Sequence, residues 1–288
     1  MKDKKIKING IDLHLVDFGG TGETIICVHG LTANSRYWDS VAERLVDSYR
    51  VLAIDLRGRG DSEKPKSGYN IRQHTEDILQ VVNHLGLEKI IYMGHSLGAL
   101  IGASFAATYP QRLSRLILVD GGVNIDERVF VKIRPAIDRL DTVFPDFETY
   151  LNEMKKNPFF DEWNEYVEQY FYADVEHRFD GSVCSKVCKK AIMEELNMLK
   201  ETSIDGFYEH INIPTLLLWA PDSFKDGETF MVTKEKWERL TSSLPHSYFV
   251  EIHDANHYSI ILSKYEQLVD EVKKFLHDTE KFCFQNQL

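Results

Sequence analysis

Gly94-His95-Ser96-Leu97-Gly98 has the G-x-S-x-G spacing in a setting that gives the pattern chemical meaning. The apolar run Lys89–Met93 leads into it and the helix-like stretch Ala99–Tyr109 leads out. A serine in so tight a strand-to-helix turn holds its hydroxyl clear of the backbone. Small residues two before and two after it let strand and helix pass closely. The helix N-terminus adds backbone N–H groups beside the hydroxyl, ready for a developing oxyanion. Ser96 is therefore expected to act as a nucleophile in two-step acyl transfer.

The elements that must position Ser96 follow from the hydrophobic pattern. Lys5–Ile8 and Asp12–Phe18 read as a strand pair with a turn at Asn9-Gly10. Thr24–Val28, Val51–Ile54, Ile90–Met93 and Leu116–Val119 are short apolar runs, as expected of strands buried on both faces. Helical stretches lie between them at Tyr37–Leu45, Ile71–Leu85 and Ala99–Tyr109, the last stopped by Pro110. The alternation resumes with strands Thr215–Trp219 and Tyr248–Ile252 and helices Lys234–Leu244 and Tyr265–Leu276. Two leading antiparallel strands followed by βα units imply an α/β fold, a mostly parallel central sheet with helices on both faces. The rhythm breaks over residues 124–206, which show no convincing strand and several helical stretches. That segment holds 12 of the 33 aromatic residues, and its 18 acidic against 11 basic residues carry −7 of the net charge. It reads as a helical cap over the carboxyl edge of the sheet, where open α/β sheets bind ligands. The expected division is a core of 1–122 and 207–288 with a cap of 123–206. The tail Phe282–Leu288 is expected to be disordered.

Composition limits the partners. The chain has 288 residues and a net charge of −11, and an acidic chain repels phosphate backbones, so no nucleic-acid partner is expected. No apolar run approaches the ~20 residues of a membrane span. The charged start Met1–Lys5 lacks a following apolar stretch, and four cysteines are too few for a disulfide scaffold. A soluble, cytoplasmic protein without a membrane partner is the expectation; the sequence leaves the oligomeric state open.

On Gly94–Gly98 and three further segments the chain resembles the α/β-hydrolase fold family over nearly its whole length. His29-Gly30-Leu31 follows the Thr24–Val28 strand and matches the family's H-G-x turn. Asp55–Ser62 matches its D-x-R-G-x-G-x-S loop, and Asp254-Ala-Asn-His257 its late histidine loop. The resemblance assigns the oxyanion N–H groups to Leu31 and Leu97, and makes His257 the general base. Among 11 histidines, His253 lies nearer the strand end and is the main competitor. His95 should point away from the nucleophile, and His29 should brace its turn. The others, His14 and His74 included, have no strand-end context and are expected to be solvated or packed.

The acid that orients His257 stays open between two aspartates. Many family members carry it three residues beyond a glycine that ends the strand equivalent to Thr215–Trp219. This chain reads Trp219-Ala-Pro-Asp222-Ser223, so Asp222 falls one position early, and Asp226 three late. Other members place it one strand earlier, which here is Asp120 in Asp120-Gly121-Gly122. Asp120 is favoured over Asp222, with Asp226 third; an aspartate at such a place can also merely cap a turn.

No cofactor or metal is expected. Cys184 and Cys188 could share a helix face, but no nearby pair completes a zinc set. Gly19-Gly20-Thr21-Gly22 lacks a P-loop lysine, and Gly58-Arg59-Gly60 lacks the frame of a dinucleotide site. Arg59-Gly60-Asp61 lies inside the loop motif and is not read as an adhesion signal. Arg36 and Tyr37 are assigned to a loop and helix start, with substrate contact the lesser reading. The function expected is that of a carboxylesterase acting on a small acyl substrate, an ester or lactone. Its alternatives are an amide or carbon–carbon bond hydrolase with the same residues, or a non-catalytic ligand-binding or signalling module. Family members that open epoxides carry an aspartate where this chain has Ser96.

Overall fold

The computed structural model describes every residue except 125–126, 161, 203, 225 and 283–288. Eight strands form the central sheet: β1 (Lys2–Ile8), β2 (Ile11–Gly19), β3 (Thr24–Val28), β4 (Arg50–Ile54), β5 (Ile90–His95), β6 (Leu113–Val119), and, after the cap segment, β10 (Thr215–Trp219) and β11 (Ser247–Glu251). Their order is β1-β2-β4-β3-β5-β6-β10-β11. β1 and β2 pair antiparallel with each other, as β2 does with β4, and the remaining pairs are parallel. Short apolar runs suit this arrangement because a strand covered by helices on both faces has no solvent side to alternate toward.

One face packs under α2 (Ile71–His84), α3 (Leu97–Thr108) and α10 (Lys234–Ser243). The other packs under α1 (Asp39–Leu45), α11 (Ser259–Leu262) and α12 (Tyr265–Phe282). Helix α3 has ten of its 12 residues buried, so it is apolar all round rather than amphipathic. Among the described residues no helix is long and apolar enough to cross a membrane.

Between β6 and β10 lie α4 (Glu127–Lys132), α5 (Arg134–Asp138), α6 (Phe147–Met154), α7 (Glu165–Asp174), α8 (Lys189–Glu201) and α9 (Asp205–Tyr208). The segment also holds a small antiparallel sheet, which corrects the all-helical reading. Its strands β7 (Val143–Phe144), β8 (Val175–His177) and β9 (Val183–Ser185) are two or three residues long, too short for a period of two to show. Cys184 lies on β9 and Cys188 caps α8, so the two thiols do not share a helix face as expected. Helix α8 is tied to the core by buried charge: Arg59 pairs with Glu195, and His74 Nε2 lies 2.8 Å from Glu195 Oε1, all three side chains fully buried. Of the Phe282–Leu288 tail, Phe282 ends α12; the expectation for 283–288 lies outside the described residues.

Candidate active site

Ser96 is the residue between β5 and α3, and its φ of 56° is a left-handed conformation that a β-carbon resists. The turn is possible because its neighbours are small. A β-carbon on Gly98 would lie 2.1 Å from Val28 O, and one on Gly121 would lie 2.6 Å from Ser96 Cα. Strand β3, the Ser96 turn and the end of β6 therefore meet backbone to backbone. The result is a half-buried serine hydroxyl at the carboxyl edge of the sheet.

Asp120 follows β6, the strand beside β5, and has a positive φ of 40°. Its backbone N–H donates to Leu218 O on β10 at 2.8 Å. Its side chain is thereby aimed across the sheet edge at the loop after β11. There His257 Nδ1 meets Asp120 Oδ2 at 2.7 Å, both groups buried. Ala220 N–H donates to the other carboxylate oxygen at 3.3 Å. Burial pushes the Asp120 carboxyl up to about 7, opposed by the neighbouring His95 and the Ala220 N–H. Burial pushes the His257 imidazole down to about 3, so the ring stays neutral.

The competing carboxylates lie elsewhere. Asp222 is exposed, and its backbone N–H, not its side chain, reaches the histidine loop at Ala255 O (3.0 Å). Asp226 is engaged by Lys132 Nζ (2.8 Å) and by Thr229. His253 is exposed and lies 3.5 Å from Glu251.

Ser96, His257, Leu31 and Leu97 line one cavity. No hydrogen bond joins Ser96 to His257 among the described residues; such bonds tighten when substrate binds. Residues 124–206 contribute Ile133, Ala136, Ile137, Tyr170, Leu196 and Leu199 to the lining. Of the 12 aromatic residues in that segment only Tyr170 is among them; others, such as Tyr150 and Phe171, are buried in the core. No Lys, Arg, Asp or Glu lines the cavity, so the segment's negative charge stays outside it.

Tyr37, read as part of a helix start, lines the cavity as well, while Arg36 is held by Asp39 at 2.6 Å. His29 braces its turn: Nδ1 donates to Gly30 O (2.7 Å) and Nε2 accepts the Leu56 N–H (3.0 Å). His95 corrects the expectation that it points away. Its ring lies 4.5 Å from the His257 ring, lines the cavity, and donates from Nε2 to His257 O at 2.9 Å. Extended β5 alternates its side chains, but the turn at Ser96 ends that alternation, so period-two reasoning fails one residue before the turn. A second buried imidazole–carboxylate pair, His14 Nδ1 with Asp55 Oδ2 at 2.8 Å, lies between β2 and β4. His14, Asp55 and Asp61 bring ligand atoms within 4.8 Å of one another, but Asp55 is already committed to His14, Ser35 N–H and Asp61 N–H.

Comparison with known proteins bears on the fold. A family model described as alpha/beta hydrolase fold matches residues 23–264. A soluble epoxide hydrolase of Corynebacterium sp. is 35% identical over 113 residues, 39% of each chain. A cis-3-alkyl-4-alkyloxetan-2-one decarboxylase of Shewanella oneidensis is 24% identical over 300 residues, 96% of this chain and 89% of the relative. Three further curated relatives are 35% identical over 115 residues, and the chain spans 34% of their length. The crystal structure of E-2-(acetamidomethylene)succinate hydrolase superposes with a TM-score of 0.84 at 22% identity, covering 96% of this chain and 99% of that one.

Proposed function

The chain belongs to the alpha/beta hydrolase fold family, and from that premise we propose that it is a serine hydrolase. In this reading it cleaves uncharged carboxylic esters, cyclic esters included, through an acyl-enzyme on Ser96. The observation that carries the reading is the 2.7 Å Asp120–His257 bond at a cavity that also contains the Ser96 turn. Residues 123–206 then serve as a cap that supplies one wall of the site, and 1–122 with 207–288 as the core that carries the reacting groups.

The Asp120 carboxylate accepts a hydrogen bond from His257 Nδ1–H, which fixes the tautomer and leaves the Nε2 lone pair as the base. The Ser96 proton passes to Nε2 as Oγ bonds to the carbonyl carbon. The carbonyl electron pair moves onto oxygen, which takes the N–H groups of Leu31 and Leu97. Collapse expels the alcohol, protonated by His257, and water repeats the sequence to release the acid. Burial keeps His257 neutral between turnovers, so the base is available across ordinary pH.

The lining supports an uncharged acyl group, since it offers no cation to a carboxylate. Ser96 also separates this chain from the epoxide-opening activity that names the Corynebacterium relative, because family members of that kind carry an aspartate there. The Shewanella relative is named for oxetan-2-ones, which are cyclic esters, and this favours including lactones. A panel of p-nitrophenyl esters and lactones, with Ser96→Ala as control, tests the proposal. Short and medium uncharged acyl groups should be turned over at least ~10³-fold faster by the wild type. A wild type no faster than Ser96→Ala on every acyl substrate would overturn it in favour of a ligand-binding module.

A further inference from the structure

The turn that carries Leu31 is held at two consecutive carbonyls. His29 Nδ1 donates to Gly30 O at 2.7 Å, and Arg59 Nε donates to Leu31 O at 3.0 Å. Gly30 O shares its peptide unit with the Leu31 N–H, and a planar trans peptide points the two in opposite directions. Holding both carbonyls therefore sets the direction of that N–H. Among the described residues no backbone acceptor meets it.

Arg59 has its own anchor. Its fully buried guanidinium donates from Nη1 to Arg57 O at 2.9 Å and from Nη2 to the Glu195 carboxylate. Glu195 is fully buried too, and His74 Nε2 lies 2.8 Å from its Oε1. Against the cost of burial, Arg59 and then His74 hold the Glu195 carboxyl down to about 2, so it is ionised. Glu195 lies on α8, the helix whose Leu196 and Leu199 line the cavity. The same helix is joined to the loop between β4 and α2 at other points. Cys188 N–H donates to Gly58 O (2.9 Å), and Glu194 Oε1 accepts the N–H groups of Gly68 (2.9 Å) and Tyr69 (3.1 Å). One ion pair thus links a helix of the cavity wall to the turn beside Ser96. A buried ion pair adds little stability over a well-packed apolar pair of similar size. What it adds is direction, because a planar guanidinium fixes the aim of each of its donors.

We infer that Glu195 is a positioning residue for the oxyanion site: through Arg59 it holds the Leu31 carbonyl, and so aims the Leu31 N–H at the oxygen of the scissile carbonyl. This rests on the proposed hydrolase reading and adds to it a residue from the cap segment. Glu195 touches no reacting atom; it acts by keeping the guanidinium in place between itself and the turn. A displacement of about 1 Å at such a donor costs on the order of 10²-fold in rate. Ground-state binding in the apolar lining does not depend on it, so the loss falls on the transition state.

The test measures kcat and KM for p-nitrophenyl butyrate, and the Ki of a trifluoromethyl ketone with the same alkyl chain. Ser96 Oγ adds to the ketone carbon, its proton passes to His257, and the carbonyl electron pair becomes an oxyanion facing Leu31 and Leu97. Rates are counted per site labelled to completion by a fluorophosphonate, so loss of folded protein does not enter. Glu195→Gln should lower kcat by ~10–100-fold with KM within about threefold, and raise the ketone Ki by the factor that kcat loses. Glu194→Ala loosens the same helix without touching Arg59, and should leave kcat and Ki within about threefold of wild type. Should Glu195→Gln fold poorly, the double variant Arg59→Met with Glu195→Leu leaves no orphaned charge and should show the same loss. An unchanged kcat in the folded variant overturns the inference. So does a loss carried by KM alone, or an equal loss in Glu194→Ala, which would make the effect one of helix placement. A wild type no faster than Ser96→Ala would remove the hydrolase reading itself. A fast wild type beside an equally fast Glu195→Gln would remove this inference alone.

Discussion

Two buried aspartate–histidine pairs of nearly equal length behave in opposite ways. Asp55 and His14 are 2.8 Å apart, Asp120 and His257 2.7 Å. Asp55 also accepts the N–H groups of Ser35 (2.6 Å) and Asp61 (2.9 Å). Against the cost of burial, His14 first, then His29 and the Asp61 N–H draw its carboxyl down to about 2, while the His14 imidazole is raised by Asp55 despite its own burial. Asp120 has one backbone donor, Ala220 N–H at a long 3.3 Å, and burial wins: its carboxyl rises to about 7 and His257 falls to about 3. What the surroundings offer the carboxylate, and not the length of the pair, decides whether the pair holds its charge comfortably. The Asp55 pair clamps β2 to the loop after β4. The Asp120 pair is left short of stabilisation in the resting protein, so in the proposed acyl transfer the positive imidazole would gain more from its partner.

Exchanging each carboxylate for its amide breaks this contrast most sharply. Asp120→Asn should lower kcat on esters by about 10³–10⁴-fold. Its melting temperature should be unchanged or higher above pH 7. A carboxyl whose pKa is raised on folding opposes folding wherever it ionises, and the amide removes that cost. Asp55→Asn should do the opposite. Loss of a carboxylate held down to about 2 removes about 2 kcal/mol, or roughly 4–8 °C in Tm. Turnover of the folded fraction should stay within about tenfold of wild type. Equal thermal loss in the two variants would erase the distinction.

The pH dependence of unfolding sharpens it. A depressed carboxyl contributes stability above its unfolded pKa near 3.8 and loses it as pH falls toward about 2. Wild-type Tm should therefore drop steeply below pH 4, and more shallowly in Asp55→Asn, as followed by calorimetry from pH 5 to 2. The smallest effects belong to the carboxylate and imidazole that lost the sequence contest. Asp222→Asn and His253→Ala, both exposed, should alter stability by less than about 0.5 kcal/mol, with ester kcat/KM unchanged within error. A large loss of activity in Asp222→Asn would reopen the choice of acid.

Residues with local signatures were legible early. Ser96 was, because a strand, a turn and a helix occupy consecutive positions and the glycines around it report close backbone approach. The strands Thr24–Val28 and Thr215–Trp219 match their predicted bounds, since continuous apolar runs of five residues have few other uses. Asp120 and Asp222 were nearly balanced because β6 and β10 are adjacent parallel strands and both residues lie just past their ends. What separates them is the positive φ at Asp120 and the backbone N–H it sends to Leu218, neither of which residue type encodes. The His14–Asp55 pair had half a signal: Asp55 stands in a recognisable loop, but its partner is identified only once β2 pairs with β4 and Leu15 faces Ile54.

The sequence by itself determined the alternation of strands and helices and the position of the Ser96 turn, since both depend on patterns a few residues long. Tertiary structure alone decided which carboxylate meets His257, 137 positions away, and that His95 turns its Nε2 to the backbone oxygen of His257. Those choices depend on strand register and on side-chain direction at a strained turn, where a shift of one residue would bring different groups to His257.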